Sequence, residues 1–440
     1  MGKNARGMKW LYGELPELEA KEIITPEAAS KIRGYYGEIP VKDTRALVLA
    51  IFSVLGAILV GSGIILIIAH NWDGIPRNIK TLLAFLPLII STVISGYVLL
   101  NGKESPAWKE AAAVFSGLSA AACIALISQI YNMGGNLHDY LTICLLLAIL
   151  PIYVFNSSVL AAIYLLALIP WTFNAPNLYG HPDITIMITY FAFIAATTPH
   201  FLSMLFNKEF SFRYPWLGWV RSIVLVITIG MVFNHLDINI IIYSICFGFF
   251  YIVGLRFEDF SGPFLKRPIN TSAILVLMFL MYAMSFQDFW DHIDFDMKYK
   301  YFLIIPGIFF IAFLSVSAKM IKEKKLDIIQ SMVISFPLAV VLFWILILCF
   351  PSWDILESLP YLYFNIFIAA LGILSILRGF RRGVLLDMNV GIVVLSMLII
   401  VRFFDSHLSF VAKGSVFIFL GTASLMANWY FCKRLKKEKA

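Results

Sequence analysis

The side chains best suited to chemistry in this chain are His70, Asn71, Trp72, Asp73, Gln129, Asn132, His138, Asp139, Arg402 and Asp405, which cluster at the ends of long apolar runs. Histidine and aspartate can exchange protons or hold a cation, and arginine presents a planar fork of donors to a carboxylate or phosphate. Arg402 and Asp405 lie three residues apart and share a helix face. Asp405, Asp73 and the anionic head of a lipid or substrate are therefore candidate partners for Arg402, with snorkelling to the membrane interface as the plainer alternative. Gln129 suits an interhelical hydrogen bond better than ligand binding. The ten residues form a candidate binding set for an anionic substrate, with no catalytic residue among them.

Other chemistry finds little support. Six of the seven histidines (His70, His138, His181, His235, His292 and His407) fall on the same side of the expected membrane, and only His200 falls on the other. The segment FQDFWDHIDFDMKYK carries four aspartates and one histidine. No His-x-x-x-His or Asp-x-Asp-x-Asp-Gly spacing concentrates them, so no metal site is expected. Walker loops, dinucleotide glycine patterns following a strand, nucleophile elbows and zincin helices are all missing, and no cofactor is expected.

Stepping from residues to elements, 60% of the 440 residues are hydrophobic and 14% are charged, with a mean hydropathy of +0.85. Soluble domains carry about 25% charged residues. The pattern is that of an all-α, polytopic transmembrane helix bundle of about fourteen spans, because a helix needs roughly 20 apolar residues to cross the hydrocarbon. The expected helices cover 46–69, 79–100, 111–131, 139–155, 158–172, 184–206, 219–234, 237–255, 269–286, 300–317, 329–350, 360–377, 386–404 and 413–431. The break between the fourth and fifth rests on Asn156 and Ser157 alone. Residues 1–45 form an expected cytosolic helical pair, 46–431 the transmembrane domain, and 432–440 a basic cytosolic tail.

With the amino terminus inside, 28 of the 34 Lys and Arg residues fall on inner segments, as the positive-inside rule requires. Both termini are then cytoplasmic, and the basic face meets an anionic inner leaflet. The net charge of +7 thus belongs to topology and not to nucleic acid. The first 45 residues are too charged and too long for a cleaved signal peptide. Five cysteines, without metal spacing, read as small core residues. Near the amino terminus, Thr25 can cap a helix beginning at Pro26, with Glu27 in its first turn and an apolar face of Ala28, Ile32 and Tyr35 or Tyr36. This pair is a candidate docking element for a protein partner or for the inner loops.

The segments IIAHNWDGIPRNIK, ALISQIYNMGGNLHDY and VRFFDSHLSFVAKGSVFIFLGTASLMANWYF resemble the bacterial family of predicted membrane proteins called domain of unknown function 2157. The resemblance rests on Ala69 to Asp73, on Gln129 to Tyr131, on IITPEAASKI near the amino terminus, and on the Arg-Phe-Phe-Asp run with its following glycine-containing helix. It is strongest over the first 170 residues, moderate over the last 40, and limited to hydropathy between them. It implies a multi-pass protein of the bacterial inner membrane and brings no activity, substrate or catalytic residue.

Three functions fit these observations. The first is transport of a small or lipid-linked anionic substrate through an outer-facing polar vestibule. The second is a membrane scaffold recruiting a partner through the cytosolic helices, and the last is a lipid-linked-sugar transferase or polymerase.

Overall fold

The computed structural model describes residues 5–36, 72–101, 106–176, 183–206, 213–233, 239–258, 264–287, 289–290, 303–350, 355–405, 418 and 422. Among the described residues there are fourteen α-helices, two short 3-10 turns and no strand. The chain divides into residues 1–80 and 81–440.

In the first unit, α1 (Ala5–Ala20) is followed by α2 (Pro26–Tyr36). The Tyr12 hydroxyl donates to the Arg33 carbonyl at 3.2 Å, and Leu15 and Ala29 are buried. Thr25 Oγ1 accepts the Ala28 N–H at 3.3 Å, the cap read from the sequence. Of the two alternatives for the apolar face, Tyr36 has a side chain outside the described residues, and Tyr35 faces solvent. It is 78% exposed, because the buried side of α2 centres on Ala29, six residues and 600° of helical rotation away. Trp72–Gly74 forms a 3-10 turn, after which α3 (Arg77–Leu100) begins.

In the second unit, α3 is followed by α4 (Pro106–Ile130), α5 (Leu137–Phe155), α6 (Ser158–Phe173), α7 (Ile184–Phe206), α8 (Arg213–Val232) and α9 (Asn239–Phe257). Then come α10 (Pro268–Ala283), α11 (Ile304–Lys322), α12 (Ile328–Cys349), α13 (Ile355–Arg382) and α14 (Leu385–Asp405). These twelve helices coincide with the second to thirteenth expected spans. Ten are long and apolar enough to cross a membrane, and α6 and α10 are shorter apolar helices. The expected first and fourteenth spans lie outside the described residues, apart from Ile418 and Thr422.

The doubtful break between the fourth and fifth spans is real. Asn156 adopts a left-handed conformation (φ 53°), which asparagine tolerates better than most residues, and Ser157 caps α6 by accepting the Leu160 N–H at 3.1 Å. α8 begins six residues before its expected start, because RYPWLG is too mixed for a hydropathy signal.

At 16 residues each, α6 and α10 are about 24 Å long, less than the roughly 30 Å of hydrocarbon. They tolerate this by being enclosed: α6 packs chiefly on α8, α4 and α5, and α10 on α9 and α8. Tyr164, Leu168 and Trp171 of α6, and Leu277 and Met281 of α10, have almost no accessible surface.

α13 and α14 pack most closely, along glycines. A Cβ on Gly379 would lie 2.3 Å from the Met388 nitrogen, and one on Gly391 would lie 2.6 Å from the Gly372 oxygen. The absence of side chains lets the two backbones touch.

One end of the second unit is tied by ion pairs. Arg378 Nε sits 2.7 Å from Asp327 Oδ2 and 3.4 Å from Asp387 Oδ2, while Arg256 lies 3.9 Å from Glu323. Asp327 also caps α12, and its own N–H donates to Gln330 Oε1 at 3.0 Å, completing a capping box.

Candidate anion site between α7, α8 and α9

Arg221 stands eight residues into α8, about 12 Å from the helix start. Its Nη2 donates to Thr198 Oγ1 of α7 at 2.7 Å, and its guanidinium lies 5.1 Å from the Phe201 ring centroid. The residue as a whole is half-buried, yet its Nη1 is buried and has no hydrogen-bond partner among the described residues. No carboxylate among them lies within ion-pair distance. A charged donor inside a helix bundle costs several kcal/mol unless something satisfies it, so such residues mark ligand or ion sites.

Two cavities border Arg221. One, of about 230 Å³, extends along Phe201 and Leu202 of α7, Gly218 and Ser222 of α8, Val253 of α9 and Ser272 of α10. The other, of about 350 Å³, extends along Phe191 and Ile194 of α7, Ile229 of α8, Cys246 of α9 and Phe309 of α11. Thr198, Arg221, Leu225, Phe249 and Phe250 line both. On α7 and α8 the cavities run in opposite directions from this shared level, one toward the ion-paired end and one away from it. They are stacked chambers with Arg221 at the waist. Ser272 adds a second polar patch, its hydroxyl bonded to Ser222 Oγ at 2.9 Å.

The ten residues picked from sequence are distributed more widely. His70 and Asn71 lie outside the described residues, as does the side chain of Asp405. In the first unit, Asp73 is exposed in the 3-10 turn and the Lys80 ammonium lies 5.3 Å over the Trp72 ring. In the second unit, Gln129 and Asn132 are exposed at the end of α4, where Asn132 takes a left-handed φ of 48°. Asp139 is exposed in the first turn of α5, its N–H bonded to Asn136 Oδ1 at 2.8 Å. His138 is buried, stacked on Trp171 at 4.5 Å, with Nδ1 3.0 Å from the Trp171 carbonyl. Arg402 Nη2 donates to Ser285 Oγ at 3.0 Å, and its guanidinium lies 4.6 Å from the Phe286 ring centroid and 5.9 Å from that of Tyr361. His138 thus joins α5 to α6, whereas Arg402 joins α14 to the end of α10 and to α13.

Two acids, Glu110 partly buried and Glu258 buried, escaped the sequence reading. Glu110 of α4 accepts the Ser158 N–H at 3.0 Å, the Val159 N–H at 3.1 Å and the Ser157 hydroxyl, with Arg213 Nη1 3.5 Å away. Glu258, just beyond α9, accepts the Ile269 N–H at 3.0 Å, the Asn270 N–H at 2.8 Å and the Tyr214 hydroxyl at 2.5 Å. These carboxylates satisfy first-turn amides that the burial of α6 and α10 removes from water. Burial pushes the Glu258 carboxyl above the ordinary range; bonds from Tyr214, Asn270 and Ile269 and the charge of Arg267 oppose the shift without cancelling it. His200 was noticed only as the histidine on the other side. It is buried in α7, edge-on to Tyr153 at 6.2 Å, and its Nε2 has no hydrogen-bond partner among the described residues.

Residues 16–161 match the family described as Predicted membrane protein (DUF2157). No curated protein and no solved structure matches the chain. The DUF2157 match covers α2 to α5 and contains Glu110 and Ser157 to Val159, the capping contact that fixes α6. Arg221 and both chambers lie beyond the DUF2157 match.

Proposed function

We infer that this multi-pass membrane protein binds and moves an anionic substrate along a path within the bundle, with Arg221 as its charged station. The observation that carries the reading is the guanidinium at the waist of two stacked chambers, bonded to Thr198 and still holding unspent donors. A passage that opens alternately to two sides needs a site between two compartments, and helix bundles place such sites near mid-membrane. Arg402, bonded to Ser285 and flanked by Phe286 and Tyr361, is a second cationic position for an anion within the second unit. The basic end faces the cytoplasm of a bacterial inner membrane, with both termini inside; the distribution of Lys and Arg supports this orientation.

Proteoliposomes carrying the full chain, challenged with a panel of small and lipid-linked anions, test the reading. Flux of at least one anion, lost in Arg221→Gln, is the expected result. A panel that yields no flux and no binding overturns it.

The α1–α2 pair supports a second reading, in which the protein recruits a partner through its amino-terminal helices. A stoichiometric partner lost on deleting residues 1–40 favours that role. Among the described residues, neither Arg221 chamber is lined by histidine or aspartate.

A further inference from the structure

We propose that the ligand of the Arg221 chambers is a single-chain amphiphile: a carboxylate or phosphate monoester head bound at Arg221 and an apolar tail lying in a chamber. The proposal rests on the anion-binding reading above and names its substrate class.

The lining decides between a hydrophilic anion and an amphiphilic one. Among the described residues, the chambers offer beyond Arg221 only Thr198, Ser222 and Ser272 as oxygen-bearing side chains. Ser222 and Ser272 already bond each other, and Thr198 already accepts from Arg221. A small hydrated anion entering here would exchange a full shell of water for one guanidinium and walls of Phe, Leu, Ile and Val, an exchange that leaves most of its oxygens unsatisfied. A head with an alkyl tail has the opposite balance. Its oxygens need few donors, which the arginine fork supplies, and its chain gains by leaving water for the aromatic walls.

The placement of charge fits as well. Residues 218 to 229 of α8 line the chambers, about 16 Å of helix, and Arg221 lies within that stretch. A tail therefore has a compartment on either side of its bound head. Phe201 on one side and the shared pair Phe249 and Phe250 flank this level.

The test uses the full chain in phosphatidylcholine nanodiscs, with binding read by calorimetry and by shift in melting temperature. The probes are hexadecanoate, hexadecyl phosphate, hexadecanol, acetate and inorganic phosphate. Hexadecanoate, hexadecyl phosphate or both are expected to bind about tenfold or more tightly than hexadecanol, with acetate and phosphate far weaker. The tighter of the two identifies the head as carboxylate or phosphate. Arg221→Gln is expected to erase the advantage over hexadecanol. Acetate or phosphate binding as tightly as the amphiphiles, and lost in Arg221→Gln, overturns the amphiphile and leaves the anion reading standing. Unchanged binding of every anion in Arg221→Gln overturns both. Should that variant fail to fold, Ala195→Trp fills the larger chamber and Leu202→Trp the smaller, each keeping the arginine; at least one is expected to weaken the amphiphiles about tenfold, and unchanged affinity in both overturns the proposal.

Discussion

Glu110 Oε1 accepts the Ser158 N–H at 3.0 Å, so a carboxylate on α4 closes the first turn of a helix that begins 48 residues later. Val159 and Ser157 donate to the same carboxylate. Glu110→Ala leaves the Ser158 and Val159 amides and the nearby Arg213 charge without this acceptor, an expected loss of about 1–3 kcal/mol. Glu110→Gln keeps one acceptor oxygen and is expected to cost about half as much. Reversible unfolding in mixed micelles measures both, and a Glu110→Ala protein as stable as the parent refutes the assignment.

Glu258 makes stability depend on pH. Its carboxyl is raised in the folded protein, so the folded state holds its proton more tightly than the unfolded state. The contribution is fully present below the ordinary glutamate value of about 4.3 and is lost as pH rises through the raised folded value. The stability of the parent relative to Glu258→Gln is therefore expected to fall from pH 4 upward across roughly that window. A difference that grows over the same range means that the bonds from Tyr214, Ile269 and Asn270 outweigh desolvation.

The glycine seam of α13 and α14 tolerates no side chain. Gly379→Leu drives a Cβ against the Met388 backbone, and Gly391→Leu meets the Gly372 carbonyl. Each is expected to destabilise the protein by about 1–3 kcal/mol or more, since backbone cannot move aside as a flexible side chain can. At Gly96, where a Cβ would meet nothing within 4 Å, the same change is expected to be nearly neutral. Thermal melting of the three variants in one detergent makes the comparison.

Much of the helical plan was legible because burial in lipid imposes a length on apolar runs. Asn156 and Ser157 were enough to divide α5 from α6, and Thr25 capped α2 as its position before Pro26 required. Sites were less legible, for a physical reason. Glu110, Arg221 and Glu258 sit near the charged ends of apolar runs, where hydropathy cannot tell a solvated loop charge from one folded under a neighbouring helix. Arg221 stands only two residues inside the expected span 219–234, because α8 starts with the mixed segment RYPWLG. What marks it is the meeting of Thr198, Phe249 and Phe250 around it, residues up to 52 positions apart that local spacing does not connect.

The two acid-capped helices also carry an order in time. Glu110 precedes α6 and Glu258 precedes α10, so as the chain is made from its amino terminus each acceptor is already in place when the amides it serves emerge. A short helix that would be unattractive to the bilayer on its own then meets a prepared dock. Reordering the genetic message, as in a circular permutant that makes α6 before α4, would remove that provision while leaving every final contact possible.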